Sequence, residues 1–219
     1  MATGTSSTGV AIIVDIVASR ELDDRGAAQR AVLAALESAS AGVAVVQAPW
    51  ATVGDEFQVL VASVADALRI TALTRLTLPE GLECRFGIGA GDVRQIDEGR
   101  SGPIHDGSAW WCARDAIDEV GRIEQRSAPY CRTWFRADAS DSSISADLVN
   151  AHLLVRDLVI GDMSPRARRL TAGALLGTPQ TELARAERIS QSAVSQNLRK
   201  SGGAAVLAAH RVLVSGALT

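Results

Sequence analysis

Asp15 is the only charge in the run Val10-Ala11-Ile12-Ile13-Val14-Asp15-Ile16-Val17. A run this apolar reads as a strand covered on both faces. An ionised carboxylate inside it is costly unless it is paired or binds a cation. A second acidic feature, Asp55-Glu56, follows Gly54 and leads into Phe57-Gln58-Val59-Leu60. The glycine permits a tight turn. Successive side chains of the emerging strand point to opposite faces, so one of the two carboxylates can face a site shared with the first strand. Asp15 and Asp55 brought together would repel at neutral pH. A hard divalent cation, Mg²⁺ or Mn²⁺, removes that repulsion, and such ions are held by one or two carboxylates together with substrate phosphates. The plainer reading of the same residues is a turn cap and an ordinary hairpin, and spacing alone favours it.

The elements that would position these aspartates follow from the apolar pattern. After Asp15, Ala18-Ser19-Arg20 leads into a helix with Ala28, Val32, Ala35 and Leu36 at helical spacing. The turn before it would offer backbone N–H groups and a helix dipole to an anion, with Ser19 and Arg20 as side-chain donors. Arg25 is expected to pair on the surface with Glu21, Asp23 or Asp24. Strands are expected at Val43–Gln47 and Glu56–Val61, a helix at Val64–Leu76, a break at Pro79-Glu80-Gly81, and a strand at Cys84–Gly89 whose glycines imply close backbone approach. That order, β-α-β-β-α-β, is the split βαβ pattern. Asp97–Asp106 reads as a polar loop, Ser108–Gln125 as a helix and Tyr130–Arg136 as a short strand. Of Trp110 and Trp111, one is expected in the core and the other is available to stack on a base.

These residues resemble class III nucleotidyl cyclases and, more distantly, GGDEF domains, in which one Asp ends the first strand and a second lies in a Gly-Asp-Glu-Phe hairpin. The segments Asp15-Ile16-Val17-Ala18-Ser19-Arg20, Gly54-Asp55-Glu56-Phe57-Gln58, Arg85-Phe86-Gly87-Ile88-Gly89 and Asp106-Gly107 followed by Ala113-Arg114 are more closely similar to the SatD family of small bacterial proteins, over roughly residues 10 to 200. The resemblance implies an α+β, ferredoxin-like βαββαβ domain with Asp15 and Asp55 as ligands of Mg²⁺ or Mn²⁺. It implies a nucleotide such as ATP or GTP held near Ile16, Ser19, Arg20, Gly54 and Arg114. Arg114 is the one candidate for a catalytic role, meeting developing phosphate charge if a cyclase reaction takes place. The base-reading Lys and Asp of cyclases are replaced here by Ala51 and Ile104, and the ribose-steadying Asn falls where Trp110 or Trp111 stands. Those departures weigh against cyclase turnover and leave metal and phosphate binding in place.

The carboxy-terminal third has a different character. Residues 161–219 hold 8 basic and 3 acidic residues, against 14 and 22 in residues 1–160. A basic segment on an acidic body suggests a polyanionic partner for that segment. Ser164-Pro165 and Thr178-Pro179 are helix starts, and Ser190 opens a third helix ended by Gly202-Gly203. Leu183, Ala184, Ile189, Val194 and Leu198 would form a small core beneath them. The pattern resembles the helix-turn-helix of sigma-factor region four. It implies DNA contacts from Gln180, Arg188, Ser190, Gln191, Ser192, Ser195, Gln196, Arg199 and Lys200, with the polar side chains at base edges and the basic ones at phosphates.

Organisation and function are therefore expected as follows. Residues 1–9 form a flexible tail, 10–137 a cyclase-like nucleotide- and metal-binding domain, 144–160 a connecting helix and 161–219 a helix-turn-helix domain. Three dispersed cysteines and three dispersed histidines show no zinc or disulfide spacing. No apolar run is long enough for a bilayer, no signal peptide is apparent, and a cytoplasmic protein is expected. The expected function is a homodimeric DNA-binding transcriptional regulator whose degenerate cyclase-like domain senses a nucleotide with Mg²⁺. The alternatives are an active cyclase or nucleotide-hydrolysing enzyme with an accessory helix-turn-helix, and a dimerisation scaffold without ligand.

Overall fold

A computed structural model describes residues 7–52, 54–99, 102–139 and 145–215, with side chains described except within 98–104. The cyclase-like base position at Ile104 therefore lies, as a side chain, outside the described residues. So do Met1 to Ser6 of the expected tail, and Ile144 at the start of the expected connecting helix.

Among the described residues the sheet has six strands. β1 (Ser7–Ile16) is central, β3 (Glu56–Val61) and β4 (Cys84–Gly99) flank it antiparallel, and β2 (Val45–Ala51) lies outside β3. β6 (Thr133–Ala137) runs parallel to the first half of β4, whereas β5 (Gly102–Asp106) pairs with its second half. Helix α1 (Arg25–Ser40) precedes β2, α2 (Val64–Thr77) follows β3 and α3 (Ser108–Arg126) follows β5. The strand begins at Ser7, inside the segment expected to be a tail, because Ser7, Thr8 and Gly9 find register partners in Val93, Asp92 and Gly91.

Both faces of β1 are buried, as its composition requires. Val10, Ile12, Val14 and Ile16 face the layer of α1 and α2, while Ala11 and Ile13 face α3 together with Leu60 and Trp110. The glycines of β4 explain how closely α3 lies. A Cβ on Gly87 or Gly89 would come 2.1 Å from the carbonyl oxygens of Ala113 or Ala109, and one on Gly91 would come 2.4 Å from Ser108 Oγ. The close approach inferred from these glycines is therefore that of a helix. Trp110 is buried edge-on to Trp50 at 6.0 Å, and Trp111 is 61% exposed.

The polar loop expected at Asp97–Asp106 is instead a ribbon, β4 continuing to Gly99 and returning as β5. Ile96 on this arm is exposed. A strand with no buried face carries no alternating apolar signal, so the sequence reads as loop.

Helix α4 (Ala146–Gly161) covers the free edge of β6: Asn150 Nδ2 donates to the Phe135 carbonyl at 3.0 Å and its Oδ1 accepts from the Phe135 N–H at 2.8 Å. Four further helices follow: α5 (Pro165–Leu175), α6 (Gln180–Glu187), α7 (Gln191–Lys200) and α8 (Gly203–Ser215). Leu170, Leu183, Ala184, Val194 and Leu198 form the small core of this unit. Met163, Ala167, Ala172, Leu175 and Val206 join the main core with Leu68, Leu73 and Leu76 of α2. Helices α5 and α8 are thus seated on the α2 side of the sheet by continuous apolar packing.

Beneath that seat lies a buried ionic cluster. Asp157 is fully buried and accepts from Arg75 Nη1 at 3.0 Å, Arg156 Nη2 at 3.0 Å and the Arg132 N–H at 2.8 Å. Removing one partner from a buried cluster leaves uncompensated charge. Asp157→Ala is predicted to lower the unfolding free energy by about 3–5 kcal/mol, measured by urea denaturation. A loss below about 1 kcal/mol would show that the two arginines are satisfied without it.

Candidate functional site

The site forms where β1 ends. Asp15 is in register with Glu56 on one side and Arg85 on the other, so three charged side chains stand in one row across the sheet. All three lie on the α3 face, since their neighbours at the alternate positions, Val14, Phe57, Cys84 and Phe86, are in the α1/α2 core. Each acid in the row meets an arginine differently. Arg114, on α3, forks onto Glu56 with Nη1–Oε2 at 2.6 Å and Nη2–Oε1 at 2.9 Å. Arg85 sits 3.5 Å from Asp15 but donates more closely to Glu124, with Nε–Oε2 at 2.7 Å and Nη2–Oε2 at 2.6 Å. Asp15 therefore has only a stretched share of one guanidinium.

Asp55 reaches the same place from the turn before β3. A cavity of about 580 Å³ is lined by Asp15, Ile16, Ala18, Ser19, Arg20, Glu21, Arg25, Asp55 and Arg85. Burial raises the Asp15 carboxyl above the usual aspartate range, the charge of Asp55 raises it further, and Arg85 only partly offsets them. Among the described residues Asp55, Arg20 and Arg25 make no ion pair. The acids lining the cavity are Asp15, Asp55 and Glu21, and Asp15 with Asp55 offers an all-oxygen set suited to a hard divalent ion that fills its remaining positions with water or phosphate. Among the described residues no cluster of three or more His, Cys, Asp or Glu side chains is arranged to hold a metal. The fit is consequently to an ion shared with a ligand and not to a closed structural site.

The phosphate-binding expectations separate under this geometry. Ile16, Ser19 and Arg20 line the cavity with Asp15 and Asp55. Gly54 adopts φ +85, which favours glycine, but its carbonyl is occupied by Gln29 Nε2 at 2.6 Å, and it is not among the lining residues. Arg114 is held on Glu56 outside the lining. The helix dipole expected at this turn lies elsewhere: after Ala18 in the left-handed region comes only a three-residue 3-10 turn, Ser19–Glu21. Helix α1 starts at Arg25, and its own Asp24 accepts from the Ala27 N–H at 2.8 Å. The positive end is thus capped by an intrinsic carboxylate. Arg25, expected to be paired on the surface, instead lines the cavity. Arg85 and Arg25 are the residues missed by sequence reasoning. The signal for Arg85 was parity, a lone cation in a strand at the position facing Asp15.

In the carboxy-terminal unit the residues proposed to meet DNA group around α7. Arg188 occupies the left-handed C-cap of α6, and Ser190 Oγ accepts from the Ala193 N–H at 3.1 Å as the N-cap of α7. Gln191, Ser192, Gln196, Arg199 and Lys200 are exposed, Ser195 is half-buried, and Gln180 lies half-buried at the start of α6. Arg166 and Arg169 both pair with Glu187. Among the described residues no helix is long and apolar enough to cross a membrane.

Burial pushes the Glu56 carboxyl up, but the hydrogen bonds from Arg114, Gln58 and Thr52 together with the Arg114 charge more than reverse this and hold it below the ordinary glutamate value. A lowered folded-state pKa gives stability that is present above the unfolded value of 4.5 and lost as pH falls through the folded one. Arg114→Ala is therefore predicted to cost about 0.5–1 kcal/mol near pH 7, since the pair is half-exposed. The difference should shrink as pH falls below 4.5, and urea midpoints of both proteins at two pH values, one on either side of 4.5, check it. An equal deficit at both would contradict the ionic origin.

No curated protein matches the chain. Among solved structures it is similar to a bacterial light-regulated adenylyl cyclase, with 12% identity and TM-score 0.46 over 62% of this chain and 44% of that one. It is similar also to the adenylyl cyclase CyaB from P. aeruginosa, at 14% and 0.40 over 57% of this chain and 84% of that one. A guanylyl cyclase gives 19% and 0.38 over 56% and 71%. The chain thus spans less than half the length of the light-regulated enzyme. The match that covers nearly the whole chain is to a sequence family, over residues 9–213, and on it the protein belongs to the SatD family.

Proposed function

We propose that this protein binds a nucleotide through a divalent cation in the Asp15–Asp55 cavity, and that its α6–α7 unit is a DNA reader responding to that occupancy. The observation that carries the first half is the lining itself, in which the carboxylates of Asp15, Asp55 and Glu21 share one cavity with Arg20, Arg25, Arg85 and the Ser19 hydroxyl. Such a cavity neutralises both charges of a cation–phosphate pair. Mg²⁺ or Mn²⁺ would be held by Asp15 and Asp55, and would supply charge neutralisation to a triphosphate such as that of ATP or GTP. Arg20 and Arg25 would meet the outer phosphates, and Ser19 would add a hydroxyl donor. The strand order β2-β3-β1-β4 with its helices fits a ferredoxin-like, cyclase-like domain.

Binding is favoured over turnover because the cation suited to a developing phosphate charge, Arg114, is forked onto Glu56. Sensing without chemistry requires that the nucleotide have different affinities for two states of the protein. The DNA half rests on the α7 N-terminus, where short polar side chains are exposed in the position a recognition helix offers to base edges, with Arg199 and Lys200 at its other end for phosphates. A homodimer would present two such helices.

Two measurements test these assignments. At a nucleotide–Mg²⁺ concentration about 100 times Kd, stabilisation of about 2.7 kcal/mol is expected, and a rise in Tm of several degrees. Asp15→Asn and Asp55→Asn should abolish the rise. No shift with any triphosphate at millimolar level would support an unliganded scaffold instead, and cyclic or hydrolysed product would revive the enzyme reading. For the DNA reader, fluorescence anisotropy on double-stranded DNA should show affinity falling steeply with salt, and Arg199→Ala with Lys200→Ala should flatten that slope by about two. An unchanged slope would remove these two residues from the interface.

A further inference from the structure

A chain of ion pairs runs from Asp15 to helix α5. Arg85 is shared between Asp15 at 3.5 Å and Glu124 at 2.6 Å. Glu124 takes Arg132 on its other oxygen at 3.0 Å. Arg132 reaches Glu83 at 3.5 Å, and Glu83 takes Arg168 of α5 at 3.2 Å. Every interior member thus has a partner on each side, and all are partly buried, with side-chain exposures between 15% and 28%. Pairs shielded this way are screened less than surface ones. Backbone joins the two ends as well: the Val17 N–H, two residues past Asp15, donates to the Glu83 carbonyl at 2.9 Å. Beside the last link, a cavity of about 660 Å³ lined by Glu83, Arg168 and the end of α2 leaves those side chains room to move.

We infer that this chain couples the Asp15 cavity to the seating of α5, with Glu83 and Arg168 as positioning residues for the cation. The inference rests on the proposed cation site and adds its regulation. The direction follows from charge. A divalent cation at Asp15 takes over that carboxylate and repels the Arg85 guanidinium, which moves fully onto Glu124. Glu124 then attracts Arg132 less, Arg132 turns to Glu83, and Glu83 holds Arg168 less firmly. Occupancy therefore loosens the link between the sheet and α5, the helix that precedes the proposed DNA reader. Coupling of this kind is reciprocal, so loosening that link from the other end must tighten cation binding.

The test is the affinity of the full-length protein for Mn²⁺ in the presence of ATP, by calorimetry or by the paramagnetic signal of free Mn²⁺. Arg168→Gln is expected to raise Mn²⁺ affinity about five-fold, and Arg168→Lys, which keeps the charge, to return it toward the parent. Arg166→Gln, which removes a neighbouring arginine paired with Glu187 instead, should leave it unchanged. If Arg168→Gln is too poorly folded to titrate, Glu83→Gln in its place should lower Mn²⁺ affinity, because Arg132 then turns fully to Glu124 and Arg85 is pushed onto Asp15; unaltered or raised affinity would overturn the coupling. Hydrogen exchange supplies the reciprocal readout: α5 amides of the parent protein should exchange faster with Mn²⁺ and ATP than without. Parent protein that binds Mn²⁺, together with Arg168→Gln of unaltered affinity, would overturn the coupling and leave the site standing. An equal gain from Arg166→Gln would show general electrostatics and overturn it too. Parent protein that binds no Mn²⁺ would overturn the site, and the coupling with it.

Discussion

A half-buried carboxylate held between two charged neighbours on a central strand is the constraint from which the rest of the arrangement follows. Asp15 cannot be accommodated in an apolar strand by packing. It needs positive charge, and the sheet supplies only a stretched share of Arg85, which is committed more closely to Glu124. The adjacent Glu56 draws off Arg114 completely. What remains at the end of β1 is an incompletely compensated carboxylate beside a cavity that Asp55, Glu21, Arg20 and Arg25 also line. A closed salt bridge would have made this corner structural; the incomplete one is what the proposed cation site rests on.

The surrounding fold holds that corner in place. The glycine face of β4 lets α3 lie against the sheet closely enough for Arg114 and Glu124 to reach the row of charges. On the opposite face, α2 is shared between the sheet core and the seat of α5 and α8. The carboxy-terminal helices are therefore not hung from a linker alone. They rest on the same helix layer that backs Asp15, and the buried Asp157 cluster lies between them.

The parts legible in the sequence were those with a strong period. The run around Asp15, the helical spacing of α1 and α2, and the capped starts of α5 and α7 all carry their pattern locally. The β4–β5 ribbon did not, because Arg94, Gln95, Ile96 and Asp97 on β4 are all exposed and show no apolar face alternating with a polar one. Within the site, the two aspartates were visible as isolated acids beside apolar runs. Arg85 and Arg25 were not, because what they do depends on register and on which loop folds over the strand end. The anion-binding helix start failed for a local reason: Ala18 takes a left-handed conformation, the chain makes one tight turn, and α1 begins later with its own acidic cap. Glu56 was visible only as a rival to Asp55, and the alternation of strand faces could not show that it would be the one held by an arginine.

The central claim is that Asp15 and Asp55 grip one cation between them. Crystals grown with Mn²⁺ and ATP, examined for anomalous scattering, address it most directly. A single strong peak is expected in the cavity at the end of β1, about 2.0–2.6 Å from a carboxylate oxygen of each aspartate. A peak beside Glu56 with Arg114 displaced, or no peak while Asp15 closes fully onto Arg85, would contradict it.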